Sequence, residues 1–232
     1  MSGKDLTERP DREVAAFLEE LAKVPARPVG GRGRLIFALD ATASREPTWD
    51  RACEVQGQMF LEAGRLGGLE VQLVFYRGFH ECKASRWVSD SRALVELMTS
   101  VRCKAGQTQI RRVLRHAIAE TKRAPIRALV FIGDAMEEEL DELAGLAAEL
   151  GILGVRAFLF QEGTDPRAER AFREIARLTG GAWCRFDRNA PNELRELLGA
   201  VAAYAAGGPA VLADLRARPS PAVRLLARQV RD

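Results

Sequence analysis

The sequence predicts an α/β fold: a doubly wound, mostly parallel sheet of six strands, with one antiparallel edge strand and helices on both faces. Three observations carry this expectation. Short apolar runs alternate with stretches of helical periodicity from residue 34 to residue 205, and strands that alternate with helices build parallel sheets through crossover units. Residues 126–132 are almost continuously apolar, as a strand covered on both faces must be. Residues 79–83 are short and polar and follow Arg77-Gly78 directly after an apolar run. That is the spacing of a hairpin whose second strand closes the edge of the sheet.

Taken in order, residues 11–23 place Val14, Phe17, Leu18 and Leu21 at helical spacing behind Asp11, an N-cap residue. Pro25, Pro28, Gly30, Gly31 and Gly33 follow, so residues 1–33 read as an amphipathic helix and a linker. Strand one is 35–39. Pro47 suits the first turn of the next helix, whose buried face carries Trp49, Ala52, Cys53, Met59, Phe60 and Ala63 before Gly64, Gly67 and Gly68 end it. Residues 69–76 form strand two, and 90–98 form a helix capped by Ser89 or Asp90. Thr108 opens a helix lined by Ile110, Val113, Leu114, Ala117 and Ile118. After the strand at 126–132, residues 137–150 read as a helix whose acidic first turn complements its dipole. Strands at 155–160 and 181–186 alternate with helices at 166–178 and 191–205. Residues 206–232, with Pro219 and Pro221, read as a tail with short helical segments.

A chain of 232 residues can bury a sizeable core. Hydrophobic residues are 47% and charged residues 29%, a globular balance. The net charge is +3 with both signs interspersed, so no basic stripe argues for nucleic acid. The uncharged stretch 197–213 is interrupted by Gly207-Gly208-Pro209, which excludes a spanning helix there. The first ten residues hold no apolar signal segment, and the four cysteines show no tight pairing. Together these predict a cytoplasmic protein. The abundance of Ala, Arg, Leu and Gly fits GC-rich bacterial coding.

Strand one runs directly into Asp40-Ala41-Thr42-Ala43-Ser44. In an open parallel sheet the carboxyl ends of the strands face the ligand crevice. Asp40, Thr42 and Ser44 alternate there, so three oxygens can converge, which suits a hard cation such as Mg²⁺. Two more oxygens belong to the same edge. Thr108 lies in Ala105-Gly106-Gln107-Thr108, and Asp134 follows the apolar run that ends at Gly133. If strand one is central, and the chain winds outward and then the other way, the strands bearing Asp40 and Asp134 are neighbours at the switch point. Two carboxylates and three hydroxyls would neutralise a divalent ion and leave room for one outside ligand, the obvious one being a partner carboxylate.

This arrangement resembles the metal ion-dependent adhesion site of von Willebrand factor A (VWA) domains, in which Asp-x-Ser-x-Ser is followed by a Thr and then by an Asp at a strand end. Thr42 stands where the first Ser is usual. The resemblance implies a VWA or Rossmann-like fold over residues 34–205 and a bound Mg²⁺, with Mn²⁺ or Ca²⁺ possible. Thr42, Ser44 and Thr108 would be direct or near-direct ligands. Asp40 and Asp134 would act directly or through water, and an Asp or Glu of a protein partner would complete the shell. It further implies a bacterial intracellular adaptor or assembly factor, not an enzyme, acting beside an ATPase or chaperone complex. One departure is Gly133-Asp134-Ala135, where the family usually has Thr-Asp-Gly.

Two other readings stand beside it. One is a Mg²⁺-dependent phosphoryl-transfer hydrolase with Asp40 as nucleophile. Haloacid dehalogenase-like phosphatases want a second Asp two residues on, where this chain has Thr42. The other is a metal-free scaffold with a vestigial site. A dinucleotide enzyme is disfavoured because no Gly-rich loop follows strand one. His80 and Cys82, with Cys103 further on, lack the fourth ligand and tight spacing of a zinc site, and read as ordinary residues with free thiols. His116, among Arg111, Arg112 and Arg115, reads as part of a solvated basic face. The acidic run Glu137, Glu138, Glu139, Asp141 and Glu142 reads as a solvated helix start that could tune which partner approaches.

Overall fold

The protein is described here by a computed structural model covering residues 33–46, 69–186 and 191–207. Strand β1, Gly33–Asp40, is buried at every residue but Arg34. A run this apolar can satisfy its backbone and both faces only in the middle of a sheet. The structure puts it there. Six strands lie in the order β3-β2-β1-β4-β5-β6, where β2 is Leu69–Arg77, β3 Glu81–Ala84, β4 Ala128–Gly133, β5 Arg156–Glu162 and β6 Ala182–Phe186. All pairings are parallel except β2 with β3, which closes in register Tyr76↔Cys82. The doubly wound sheet with one antiparallel edge strand is therefore as the sequence predicts.

Five helices cover the sheet among the described residues: α1 Ser91–Thr99, α2 Ile110–Arg123, α3 Leu140–Ile152, α4 Pro166–Thr179 and α5 Pro191–Gly207. The period-two alternation of each strand sorts side chains between two cores. Leu35, Phe37, Leu39, Val130 and Phe158 pack with Leu94 and Met98 of α1 and with Val201 and Tyr204 of α5. Ile36, Ala38, Leu129 and Phe131 pack on the other face with Val113 of α2, Leu143 of α3 and Phe172 of α4. No helix among the described residues is long and apolar enough to cross a membrane.

Helix ends follow local chemistry. Asp90 caps α1 by accepting from Arg92 N at 3.0 Å. Asp165 caps α4 ahead of Pro166, and Gly180 ends it in the left-handed region at φ 60°. Two helix starts differ from the sequence reading by two residues or more. Thr108 does not open α2, which begins at Ile110 with Gln109 at the N-cap position. The acidic run does not all belong to α3, which begins at Leu140. Glu137 and Glu138 lie in the preceding loop and turn their carboxylates toward the start of α2. The expected helices over 11–23 and after Pro47, and the tail beyond Gly207, lie outside the described residues.

Candidate metal centre

β1 and β4 are direct neighbours in register Leu39↔Ile132, so Asp40, the last residue of β1, and Asp134, just past β4, leave the sheet side by side. This is the point where the winding reverses. Asp40 is 0% exposed. Its Oδ1 accepts from Thr42 N at 2.8 Å, and its Oδ2 accepts from the Tyr76 hydroxyl at 2.9 Å. The first of these bonds folds the loop back on itself, and it brings the Thr42 Oγ1 to 3.0 Å from the Ser44 Oγ. Thr42 is buried while Ser44 is exposed, so this small hydroxyl cluster reaches from the interior to the surface.

The Thr108 segment is strapped to the same edge. Lys104 N donates to Ala41 O at 3.0 Å, and Gln107 N donates to Gly78 O at 3.2 Å. Gly106 is required by this approach, because a Cβ there would stand 2.0 Å from Gly78 O. Thr108 is itself buried, with its Oγ1 accepting from Glu137 N at 3.1 Å. A hydroxyl oxygen has a second lone pair, so it keeps capacity for one more contact. On the remaining side, Asp134 Oδ1 is buried with no hydrogen-bond partner among the described residues. An orphaned acceptor of this kind ordinarily costs about 1–3 kcal/mol.

The electrostatics agree with an acidic site short of cations. Burial raises the Asp40 carboxyl above its ordinary value, and the nearby Asp134 charge adds to this. The bonds from Thr42 and the charge of Arg45 act in the other direction and do not overcome it. Tyr76 is pushed well up by burial and by the Asp40 charge, so it stays a donor. Arg45, 1% exposed, has its Nη1 3.2 Å from Glu162 Oε2 at the end of β5. A divalent ion fits this donor set: two carboxylates that repel one another, a buried carboxylate oxygen without a hydrogen-bond partner among the described residues, and hydroxyls of the hard-oxygen kind that Mg²⁺ takes.

The departure at Gly133 has a packing cause. A Cβ there would meet the Phe131 ring at 2.8 Å, and Phe131 stands edge-on to Phe172 at 5.3 Å between centroids. Other residues take roles the sequence reading did not assign. Tyr76 reads as strand core but places its hydroxyl on Asp40; only the register Asp40↔Tyr76 reveals it. Glu137 and Glu138 read as solvated but bind backbone of the Thr108 segment. His116 is not on a solvated face: it is half-buried, its Nε2 lies 2.8 Å from Gln72 Oε1, and burial lowers its pKa. Cys82 and Cys103 form no disulfide among the described residues, and burial raises the Cys82 thiol to about 11.

No protein-family model matches the chain, and no curated protein matches it. Solved structures do. The VWA domain of SpRpn10 aligns over 72% of this chain and 94% of its own length, with a TM-score of 0.56 at 12% identity. An aerotolerance-related membrane protein from Bacteroides fragilis aligns over 72% and 98%, with a TM-score of 0.54 at 17% identity. A von Willebrand factor type A protein from Catenulispora acidiphila aligns over 74% of this chain and 43% of its own, with a TM-score of 0.57 at 17% identity. At these identities the likeness is one of fold. The chain has the fold of von Willebrand factor A domains.

Proposed function

We propose that this chain is a protein-interaction module that engages an Asp or Glu of a partner through a Mg²⁺-type centre. Asp40, Thr42, Ser44, Thr108 and Asp134 would hold the ion, and Mn²⁺ or Ca²⁺ could replace Mg²⁺ in such an oxygen set. When bound, the ion would supply a Lewis-acidic position that accepts a carboxylate. The single observation that carries the reading is the buried Oδ1 of Asp134, which has no hydrogen-bond partner among the described residues, beside the buried Asp40 carboxylate. Buried carboxylates ordinarily find hydrogen-bond donors or cations, and this pair leaves capacity for one cation. The fold shared with VWA domains supports the same reading.

The module is non-enzymatic in this proposal. Asp40 would be the nucleophile of a phosphoryl-transfer hydrolase, and its hydrogen bonds from Thr42 N and the Tyr76 hydroxyl leave a lone pair on each oxygen, so the case against that role rests on its neighbours. The position two residues on is Thr42, which offers no second carboxylate for acid–base work. A bacterial cytoplasmic adaptor or assembly factor, working beside an ATPase or chaperone complex, is the setting we propose.

The test is capture of partners by immobilised wild type and by Asp40→Ala, each in Mg²⁺ and in EDTA. The expected result is a partner retained only by wild type in Mg²⁺. Capture indifferent to EDTA and to Asp40→Ala would remove metal dependence and leave a metal-free scaffold. Turnover of an aryl phosphate that needs Mg²⁺ and is lost in Asp40→Ala would instead establish the hydrolase.

A further inference from the structure

The loop between β4 and α3 holds the Thr108 segment from the outside. Thr108 N donates to Glu137 Oε2 at 3.0 Å, and Glu137 N donates back to Thr108 Oγ1 at 3.1 Å. Glu138, the next residue, accepts from Ile110 N and, at 3.1 Å, from Arg111 N. The first turn of a helix leaves backbone N–H groups without intrahelical partners. In α2 the local residue does not serve them: Gln109 makes no side-chain cap, and its Nε2 is turned to Gly78 O at 3.1 Å. An acid from another loop takes that role, where the helix dipole favours it.

This arrangement has a consequence for the oxygen of Thr108. The Glu137 N–H occupies one lone pair of the hydroxyl, which fixes the oxygen and leaves the other lone pair in a set direction. Glu137 lies three residues after Asp134, so the same pair of bonds ties the Thr108 segment to the segment of Asp134. Glu137 is an exposed residue, and burial does not account for its placement.

We propose that Glu137, supported by Glu138, is a positioning residue for the metal centre: its carboxylate holds the Thr108 backbone, and with it the hydroxyl met by its own N–H, against the Asp134 loop before a cation arrives. The inference rests on the metal-dependent reading above. Partners that orient ligands in this way commonly change metal affinity about 10–100-fold.

The experiment measures Mn²⁺ affinity by electron paramagnetic resonance, in wild type, Glu137→Ala and Glu137→Gln. Amide exchange of Thr108 and melting temperature in EDTA are followed in the same three proteins. Glu137→Ala is expected to weaken Mn²⁺ binding about tenfold or more and to speed Thr108 exchange. Both variants keep the backbone donor, but only Glu137→Gln keeps an acceptor oxygen for Thr108 N, so its affinity stays within about threefold of wild type. A Glu137→Ala protein that binds Mn²⁺ like wild type would overturn the proposal. Equal losses in both variants would also overturn it, because charge and not position would then be the cause. Wild type that binds no Mn²⁺ would remove the metal reading and this proposal with it. Thr108 exchange would still report whether the clasp exists.

Discussion

Two acids buried in this domain meet opposite fates. Glu120, near the end of α2, lies at the amino edge of the sheet and is 6% exposed. It accepts from Trp87 Nε1 at 2.8 Å and from Arg123 Nη1 at 2.6 Å, with Arg34 Nη2 at 3.6 Å. Arg34 in turn stacks 3.7 Å from the centre of the Trp87 ring. Burial alone pushes Glu120 up, but the bonds from Trp87 and Arg123 and the neighbouring positive charges outweigh it, and its pKa is lowered. Asp40, at the carboxyl edge, is more deeply buried, at 0% exposed, and among the described residues it accepts from neutral donors, with Asp134 beside it. Burial wins there, and the pKa is raised. The amino edge is a closed charge network. The carboxyl edge is an acidic set whose balance, in our proposal, comes from an ion.

The largest expected effect breaks the ion pair of Arg45 with Glu162 at the carboxyl edge. Glu162→Ala leaves Arg45, 1% exposed, without its carboxylate at 3.2 Å. Loss of one member of a buried pair costs about 3–5 kcal/mol, readable by urea unfolding; a loss below about 1 kcal/mol would mean that other groups carry Arg45. Next comes the closed network. Trp87→Phe removes a donor to an ionised acid and is expected to cost about 1.5–3 kcal/mol at neutral pH. The sign with pH follows from the lowered pKa of Glu120: its contribution is present above the unfolded value of 4.5 and is lost as pH falls through the folded value. The cost of Trp87→Phe therefore shrinks in acid, and a cost constant with pH would argue for lost packing instead. The smallest effect has the opposite sign. Asp134→Asn relieves the repulsion on Asp40 and, in EDTA, is expected to stabilise by about 0.5–1 kcal/mol, as substitutions at functional sites often do. A destabilised Asp134→Asn protein in EDTA would show that the carboxylate is already balanced within the fold.

The fold was legible because the burial requirement of each strand is written locally. The nearly continuous apolar run before Asp134 reads as a strand covered on both faces, and β4 lies within that run and Gly133. The polar hairpin partner is β3 at the edge. Asp40, Thr42 and Ser44 were legible as a set because they alternate at a strand end. Contacts between distant loops were not. Glu137 and Thr108 are 29 residues apart, and nothing in either neighbourhood marks the other. A run of acids looks solvated unless the unserved N–H groups of another helix are known to lie beside it. Thr108 likewise carries the chemistry of an N-cap, and only the structure shows that it sits in the loop before one. His116 was misread for a related reason: its arginine neighbours point outward, while its ring turns to Gln72 in β2.

The most direct measurement is a calorimetric titration of Mg²⁺ and of Mn²⁺ into wild type and into Asp40→Ala. Melting temperatures in EDTA would confirm that both proteins are folded. The expected result is a single divalent site in wild type that is absent from Asp40→Ala. Binding of equal strength in both proteins, or none in a folded wild type, would contradict a metal centre built on Asp40 and Asp134.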